Sequence, residues 1–363
     1  MSVCALVGGQ FGSEGKGLIV GHIAKHYTAH VRVGAANAGH TLYTWNGDYR
    51  VEDPDPVGTY EKHVMQQVPC AAYANPHARL YIGPGALISP DILGREIGLL
   101  WRWRLRRNLS MPPLLIDSRA HVIQEEHIER EQESTLAERI GSTSTIAREG
   151  IGAAQAARAM RDESCVQAWE ALTGHDFIQV MPLARKLQWE QRILLEGTQG
   201  YGLSNTTGDF PYVTSRNTTA AGLCADAGIA PNRLNRVILV CRSYPIRVAG
   251  NSGPFGPGSE EITWDDIGVN REKERTTVTK KIRRVATFSI EQVKEAAVVN
   301  GATEIALTFA DYLDPKIEGK TEWGSHGKSA YPKVRDRIDW IEGATGLRVT
   351  MVGTGPHTVI DRT

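Results

Sequence analysis

Val3-Cys4-Ala5-Leu6-Val7 runs directly into Gly8-Gly9-Gln10-Phe11-Gly12-Ser13-Glu14-Gly15-Lys16-Gly17. A short apolar run that stops abruptly in glycines, followed by Leu18, Ile19, Val20, Ile23, Ala24 and Tyr27 on one broad helical face, predicts strand, loop and helix in that order. Glycines in such a loop leave backbone N–H groups open to an anion, the helix start adds partial positive charge, and Lys16 adds a full one. The spacing is not that of the standard phosphate loop. Gly9 lies one residue too far from Gly15-Lys16, and Gly17 stands where a Ser or Thr hydroxyl would ligate magnesium. On the residues alone, a tight turn with a solvated lysine remains an alternative.

Outward from this loop, Val31 to Val33 reads as a strand leading into Gly34-Ala35-Ala36-Asn37-Ala38-Gly39-His40, a glycine-flanked polar loop suited to close approach of a ligand. Asn46-Gly47 between Leu42–Trp45 and Tyr49–Val51 is a tight-hairpin signal. Further strands are expected at 63–68, 80–82, 114–117, 193–196, 236–241, 304–308 and 349–352. Ser89-Pro90-Asp91 supplies a capping hydroxyl, a first-turn proline and an acid for a helix. Helices are also expected over 125–133, with Glu125, Glu126 and His127 on different faces, and from about Ala153 to Leu172. No repeat, low-complexity tract or linker interrupts the chain. The expectation is one large α/β domain over 1–363, built round a mostly parallel central sheet with the phosphate-binding loop at its first strand-helix turn.

Lysine plus arginine equals aspartate plus glutamate at 41 each in 363 residues, so no global charge recruits nucleic acid or an anionic membrane. Trp101 to Arg107 interleaves aromatics with arginines, as single-stranded nucleic-acid binders do, but in a neutral chain a solvated amphipathic face is the better account. The five cysteines are scattered without metal or redox spacing. No stretch approaches the roughly 20 apolar residues of a membrane span. A soluble, cytoplasmic protein with reduced thiols is expected.

Several motifs together resemble the adenylosuccinate synthetases. Gln10 to Gly17 is similar to that family's opening Q-W-G-D-E-G-K-G, and Asn37-Ala38-Gly39-His40-Thr41 matches its second signature. Glu196 to Gly200 resembles E-G-A-Q-G, Phe210 to Thr219 resembles Y-P-Y-V-T-S-S-N-T-T, and Arg242 to Phe255 resembles K-A-Y-T-T-R-V-G-x-G-P-F. The resemblance implies a ligase that joins L-aspartate to C6 of a purine monophosphate through a 6-phosphoryl intermediate, with Mg2+ and as a homodimer. By the same resemblance Ser13, Lys16, His40 and Gln199 are catalytic. The nucleoside triphosphate falls to Gly12, Glu14, Gly15, Lys16, Gly17, Thr41, Asp311, Gly353 and Gly355. The monophosphate falls to Ser13, Asn37, Ser142, Thr143, Gln199, Thr214 and Lys281, with Arg161 reaching in from a neighbouring subunit. Aspartate falls to Thr277, Val278, Thr279, Arg283 and Arg284, and the metal to Ser13 and Gly39.

Two positions depart from the family. Ser13 replaces an aspartate that would take the N1 proton of hypoxanthine and ligate magnesium, and serine is a poor base and a weak ligand. Its small side chain leaves room for a 2-amino group, as in a guanine nucleotide. Phe309 replaces the lysine that reads a guanine donor. Both resemble a viral branch of the family, the 2-aminoadenylosuccinate synthetases, which implies dGMP as substrate and ATP or dATP as donor, in a host cytoplasm. The alternatives are an ordinary synthetase using IMP and GTP, an inactive nucleotide-binding relative, and a nucleic-acid binder.

Overall fold

Side chains of the N-terminal strand, Ser2–Gly8, alternate between two separate apolar layers: Val3, Ala5 and Val7 enter one, Cys4 and Leu6 the other. A strand buried on both faces belongs inside a parallel sheet covered by helices. A computed structural model describes residues 2–45, 60–141, 149–268, 272–276, 280–324 and 330–362. In it a 10-stranded sheet runs in the order 359–361, 349–353, 304–308, 234–242, 2–8, 192–196, 29–32, 79–82, 114–117, 178–181. Val359–Asp361 is antiparallel to its neighbour, and every other pairing is parallel.

Helices Ala220–Ala227, Ile290–Asn300 and Pro332–Thr345 cover the Val3 face, while Lys16–Ile23 and Pro90–Arg106 cover the Cys4 face. The first strand lies at the centre, with chain from residues 192–196 on one side and 234–242 on the other. Ligands of such sheets bind beyond the carboxyl ends of the strands where the order reverses, which here is the loop after Gly8.

The expected strands that fall on described residues form, within a few residues of their predicted limits. Ser89 caps Pro90–Arg106 by accepting from Ile92 N at 3.5 Å. On that helix Trp103 and Arg104 are buried, Arg104 donates to the Ser110 and Pro76 carbonyls, and the Arg107 guanidinium lies 4.4 Å over Trp103. Its aromatic and arginine side chains are thus partly consumed in packing.

One expectation changes. The helix predicted to reach Leu172 is Ile151–Met160, with a separate turn at Ala168–Ala171. Arg161 takes a left-handed conformation (φ 59°), and Asp162 accepts from the Ser164 N–H and hydroxyl, a local alternative that ends the helix. His40–Trp45 pairs with Tyr60–Met65, while the Asn46-Gly47 turn and the 49–51 strand lie outside the described residues. No helix among the described residues is long and apolar enough to cross a membrane.

Candidate active site

The loop after Gly8 folds around the carboxylate of Glu14, which accepts from the backbone N–H of Gly12 at 2.7 Å and of Gln10 at 3.2 Å. Gly12, Ser13 and Gly15 all have positive φ, which lets successive N–H groups turn inward. Lys16 begins the helix and is 3% exposed; its ammonium reaches Glu14 at 2.5 Å and also the Gln199 carbonyl. The lysine is therefore not solvated. A Cβ at Gly17 would collide with the Thr41 carbonyl, so glycine there allows the helix to lie against the His40 strand.

Beside this loop lies a cavity of about 450 Å³, whose wall includes Gly12, Ser13 and Lys16 from the first loop and Asn37, Gly39, His40 and Thr41 from the second. Gln199 faces it with its amide fixed, donating to Asn37 Oδ1 at 3.0 Å and accepting from Thr198 Oγ1 at 2.8 Å. Thr214 and Arg283 complete the predicted residues on the wall.

His40 is 6% exposed and its Nδ1 lies 2.6 Å from Oε1 of Glu196, the last residue of its strand. Glu196 is ion-paired to buried Arg32 and accepts from the Cys70 N–H at 3.0 Å. Burial acts to raise the Glu196 carboxyl, but Arg32 and the hydrogen bonds from His40 and Cys70 outweigh it and hold it down at about 2. Burial, aided by Arg32, pulls His40 down to about 4 against the opposing effect of Glu196. At neutral pH the pair is a carboxylate and a neutral imidazole.

The carboxyl ends of the next strands form the second part of the site. Thr308 donates to the Glu14 carbonyl at 2.7 Å, tying the 304–308 strand to the loop. Phe309 (φ 57°) lies under the Arg242 guanidinium at 3.9 Å, and Arg242 also donates to the Ser13 carbonyl and pairs with Glu274 at 2.5 Å. Asp311 is buried in the turn that follows, and Gly353 closes the adjacent strand against Thr308. Gly355 lies beside Thr358.

Other predicted residues sit elsewhere. Arg284 is off the cavity wall, its guanidinium engaged by Glu261, Ser252 and the Gly253 carbonyl. Lys281 is exposed, and its N–H donates to Thr276 Oγ1. Arg161 is exposed at the end of its helix, away from the cavity of its own chain. Ser142, Thr143, Thr277, Val278 and Thr279 lie outside the described residues.

Sequence reasoning assigned no role to Arg32, Glu196, Arg242 or Glu149. An arginine and a glutamate ending otherwise apolar strands were the available signal for the first two, since buried charges require partners. Glu149, on the cavity wall, is pushed up to about 8 by burial and by the charge of Glu131. Glu131 itself accepts from the N–H groups of Ile151 and Gly152 at the start of their helix.

Strand order, inward-facing N–H groups and a buried lysine place the molecule among α/β proteins that handle phosphate at a strand-helix turn. Comparison with known proteins narrows that class. The adenylosuccinate synthetase family model matches residues 5–177 and 166–332, and the chain belongs to that family of C–N bond-forming ligases. It is 33% identical to the adenylosuccinate synthetase of Methanococcus maripaludis (strain C6) across 98% of this chain and 97% of that one. Identity to the Thermococcus sibiricus enzyme is 34% across 97% and 95%. Among solved structures, the succinoaminodeoxyadenylate synthetase of cyanophage S-2L, bound to dGMP and dATP as an energy donor, matches with a TM-score of 0.80 at 32% identity, covering 99% of this chain and 95% of that one. Fully ligated adenylosuccinate synthetase from Plasmodium falciparum has the same fold, with a TM-score of 0.76 at 21% identity over the whole of both chains.

Proposed function

We propose that this protein joins L-aspartate to C6 of dGMP, using ATP or dATP as phosphate donor, to give 2-amino-2'-deoxyadenylosuccinate for 2-aminoadenine DNA. The observation that carries the reading is Ser13, a short neutral side chain on the cavity wall where the family has an aspartate. Likeness to the cyanophage enzyme, with its dGMP and dATP, supports it. The ordinary reaction, IMP with GTP, is the alternative that the archaeal relatives favour. Ser13 and Phe309 count against it.

In this reading the 6-oxygen of the purine sits between Lys16, His40 and Gln199. Phosphoryl transfer depends on positioning and on neutralising charge spread over phosphate oxygens. Backbone N–H groups of 12–17 and Lys16 meet the donor phosphates, exchanging Glu14 for them as anion. Asn37 and Gln199, already joined by a hydrogen bond, orient the base. Arg283, on the same wall, meets a carboxylate of aspartate.

Magnesium fits the residues present only in a particular way. Glu14, the loop carboxylate, is taken up by Lys16 and by N–H groups, leaving the Ser13 hydroxyl and the Gly39 carbonyl as neutral oxygen donors on the wall. A small hard cation that keeps waters and takes its charge balance from substrate phosphates suits such a set. When bound, the ion neutralises charge on the transferring phosphoryl group.

The same reading makes the whole chain one catalytic unit that works as a cytoplasmic homodimer, with Arg161 of the partner subunit reaching each monophosphate. Mixing inactive Arg161→Ala with inactive Lys16→Ala chains should restore part of the activity; a monomer by light scattering would end that element. The deciding experiment is a matrix of dGMP, GMP and IMP against ATP, dATP and GTP, with aspartate present, read as phosphate release. A higher kcat/KM for dGMP than for IMP is expected. A clear preference for IMP would replace this proposal with the ordinary reaction.

A further inference from the structure

We propose that Arg242 and Glu274 are positioning residues for aspartate: together they brace the first loop against the paired arms 274–276 and 281–283, and so fix where Arg283 stands on the cavity wall. This rests on the reading that Arg283 meets a carboxylate of aspartate.

Arg242 ends the 234–242 strand and is fully buried. A guanidinium in such a place needs partners for its charge and its N–H groups, and Arg242 finds them in three neighbours. Its Nη1 donates to the Ser13 carbonyl at 3.0 Å. The Phe309 ring lies 3.9 Å from the guanidinium carbon. Glu274 takes the fork with both carboxylate oxygens, at 2.5 Å to Nη2 and 3.3 Å to Nη1. The backbone of Arg242 is held as well, donating to Gln10 Oε1 at 2.9 Å and accepting from Gln10 Nε2 at 3.1 Å. One end of the brace is thus rooted in the first loop twice, through Gln10 and through Ser13.

The other end is Glu274. Tyr312 donates its hydroxyl to Oε1 at 3.0 Å. The Glu274 carbonyl accepts from the Arg283 N–H at 2.8 Å, Arg275 bridges Ile282 in antiparallel fashion, and the Thr276 N–H donates to the Lys281 carbonyl at 2.9 Å. Arg283 therefore stands directly across from the residue that Arg242 grips. The Trp264 indole holds the Arg283 carbonyl at 2.7 Å, but of the two anchors Glu274 is the one that leads back to the first loop.

This arrangement matters because the proposed reaction brings together groups carried by separate parts of the chain. Attack requires the reacting atoms about 3–3.5 Å apart. The first loop carries Lys16, at the end proposed for the purine, and the 281–283 arm carries Arg283. Arg242 bonds to the first loop and to the partner of that arm. Neither Arg242 nor Glu274 lines the cavity; both act through Arg283.

Charge and geometry predict opposite results when Glu274 is neutralised. Its negative charge acts on Arg283, so by electrostatics alone its removal would tighten capture of a dicarboxylate. Loss of the brace weakens capture instead. In Glu274→Gln, KM for aspartate should rise about fivefold, while kcat and KM for both nucleotides change by less than about twofold. An unchanged or lower KM for aspartate would overturn the proposal, as would equal rises in all three KM values or a loss confined to kcat. Glu274→Asp keeps the charge, so Arg242 is not left unpaired, but falls one methylene short of the fork. It serves where Glu274→Gln fails to fold and should show the same selective rise; an unchanged KM for aspartate would overturn the proposal there too.

Residues that act through one another do not have additive effects. In an Arg283→Ala background, Glu274→Gln should therefore raise KM for aspartate no further, and a second rise of the same size would overturn the proposal. Arg283→Ala alone separates the two possible failures. If it leaves KM for aspartate unchanged, the reading of Arg283 is wrong and the brace falls with it. If it raises that KM while Glu274→Gln does not, the reading stands and only the brace falls. Turnover is measured with whichever monophosphate the protein prefers.

Discussion

The two ends of the cavity are built differently. At the end proposed for the purine, Lys16, His40 and Gln199 each have a fixed protein partner: Glu14, Glu196 and Asn37. At the end proposed for aspartate, Arg283 reaches the wall while Arg284 is committed to Glu261. Chemistry that develops charge on a phosphoryl group needs groups already in place, because reorganising them during reaction adds to the barrier. Capture of a small dicarboxylate is served by fewer fixed contacts. The difference teaches that substitutions at the first end should act on kcat, and those at the second on binding.

The largest effect should come from removing the fixed groups. Lys16→Ala and His40→Ala should each lower kcat by about 1000-fold, with circular dichroism and the melting transition little changed. Near-normal phosphate release by either variant would break the comparison at its stronger side.

Ser13→Asp comes next, since it places a carboxylate where a 2-amino group would sit. It should depress kcat/KM for dGMP by about 100-fold without creating efficient IMP turnover, because a site shaped round one polar group discriminates by unpaired partners. Unchanged dGMP turnover would mean that the space beside residue 13 is not where the base lies.

At the other end, Arg283→Ala should raise KM for aspartate about tenfold, with KM for both nucleotides nearly constant, through loss of a charge-assisted hydrogen bond. Arg284→Ala sharpens this. It should slightly lower the melting temperature and leave KM for aspartate alone, since that guanidinium is engaged by Glu261, Ser252 and Gly253. Equal rises in KM for both variants would place Arg284 in the site after all.

The smallest effect is on stability. Burial pulls His30 and His63 down to about 4 from an ordinary value of 6.5. Between these limits the unfolded chain binds protons that the folded one refuses, so stability is full above about pH 6.5 and falls as pH drops toward 4. Glu196, held at about 2, adds a further loss below about pH 4. Melting temperatures measured from pH 7 to 4 should decline steadily; a flat profile would show that these histidines are not buried neutral.

Much of the fold was legible because it is written in short-range patterns. Val3 to Val7 and Ile193 to Glu196 announce strands by apolar runs closed by glycine, and Ser89-Pro90-Asp91 announces a helix by its cap. The first loop and the Asn37–Thr41 segment were legible for the same reason. The end of the 151–160 helix was not, because no glycine or proline stands between Met160 and Leu172 and only the Asp162–Ser164 turn stops it. Nor were the partners of His40: Glu196 and Arg32 are 164 residues apart in the chain, and their pairing follows from two strands lying side by side. Arg283 and Arg284 are adjacent in sequence, so nothing in the order of residues separates the one on the wall from the one tied to Glu261.

Glu14 has a consequence for what the loop admits. Before any ligand arrives, the loop already holds one resident negative charge, bound by its own N–H groups and by Lys16. A singly charged anion from solution gains little by entering, since it would only swap one monovalent partner for another. A polyphosphate brings several charges at once, and only then does the exchange run strongly in favour of the newcomer. In the proposed function the loop would therefore respond to the valence of its visitor, favouring a nucleoside triphosphate over small monovalent anions.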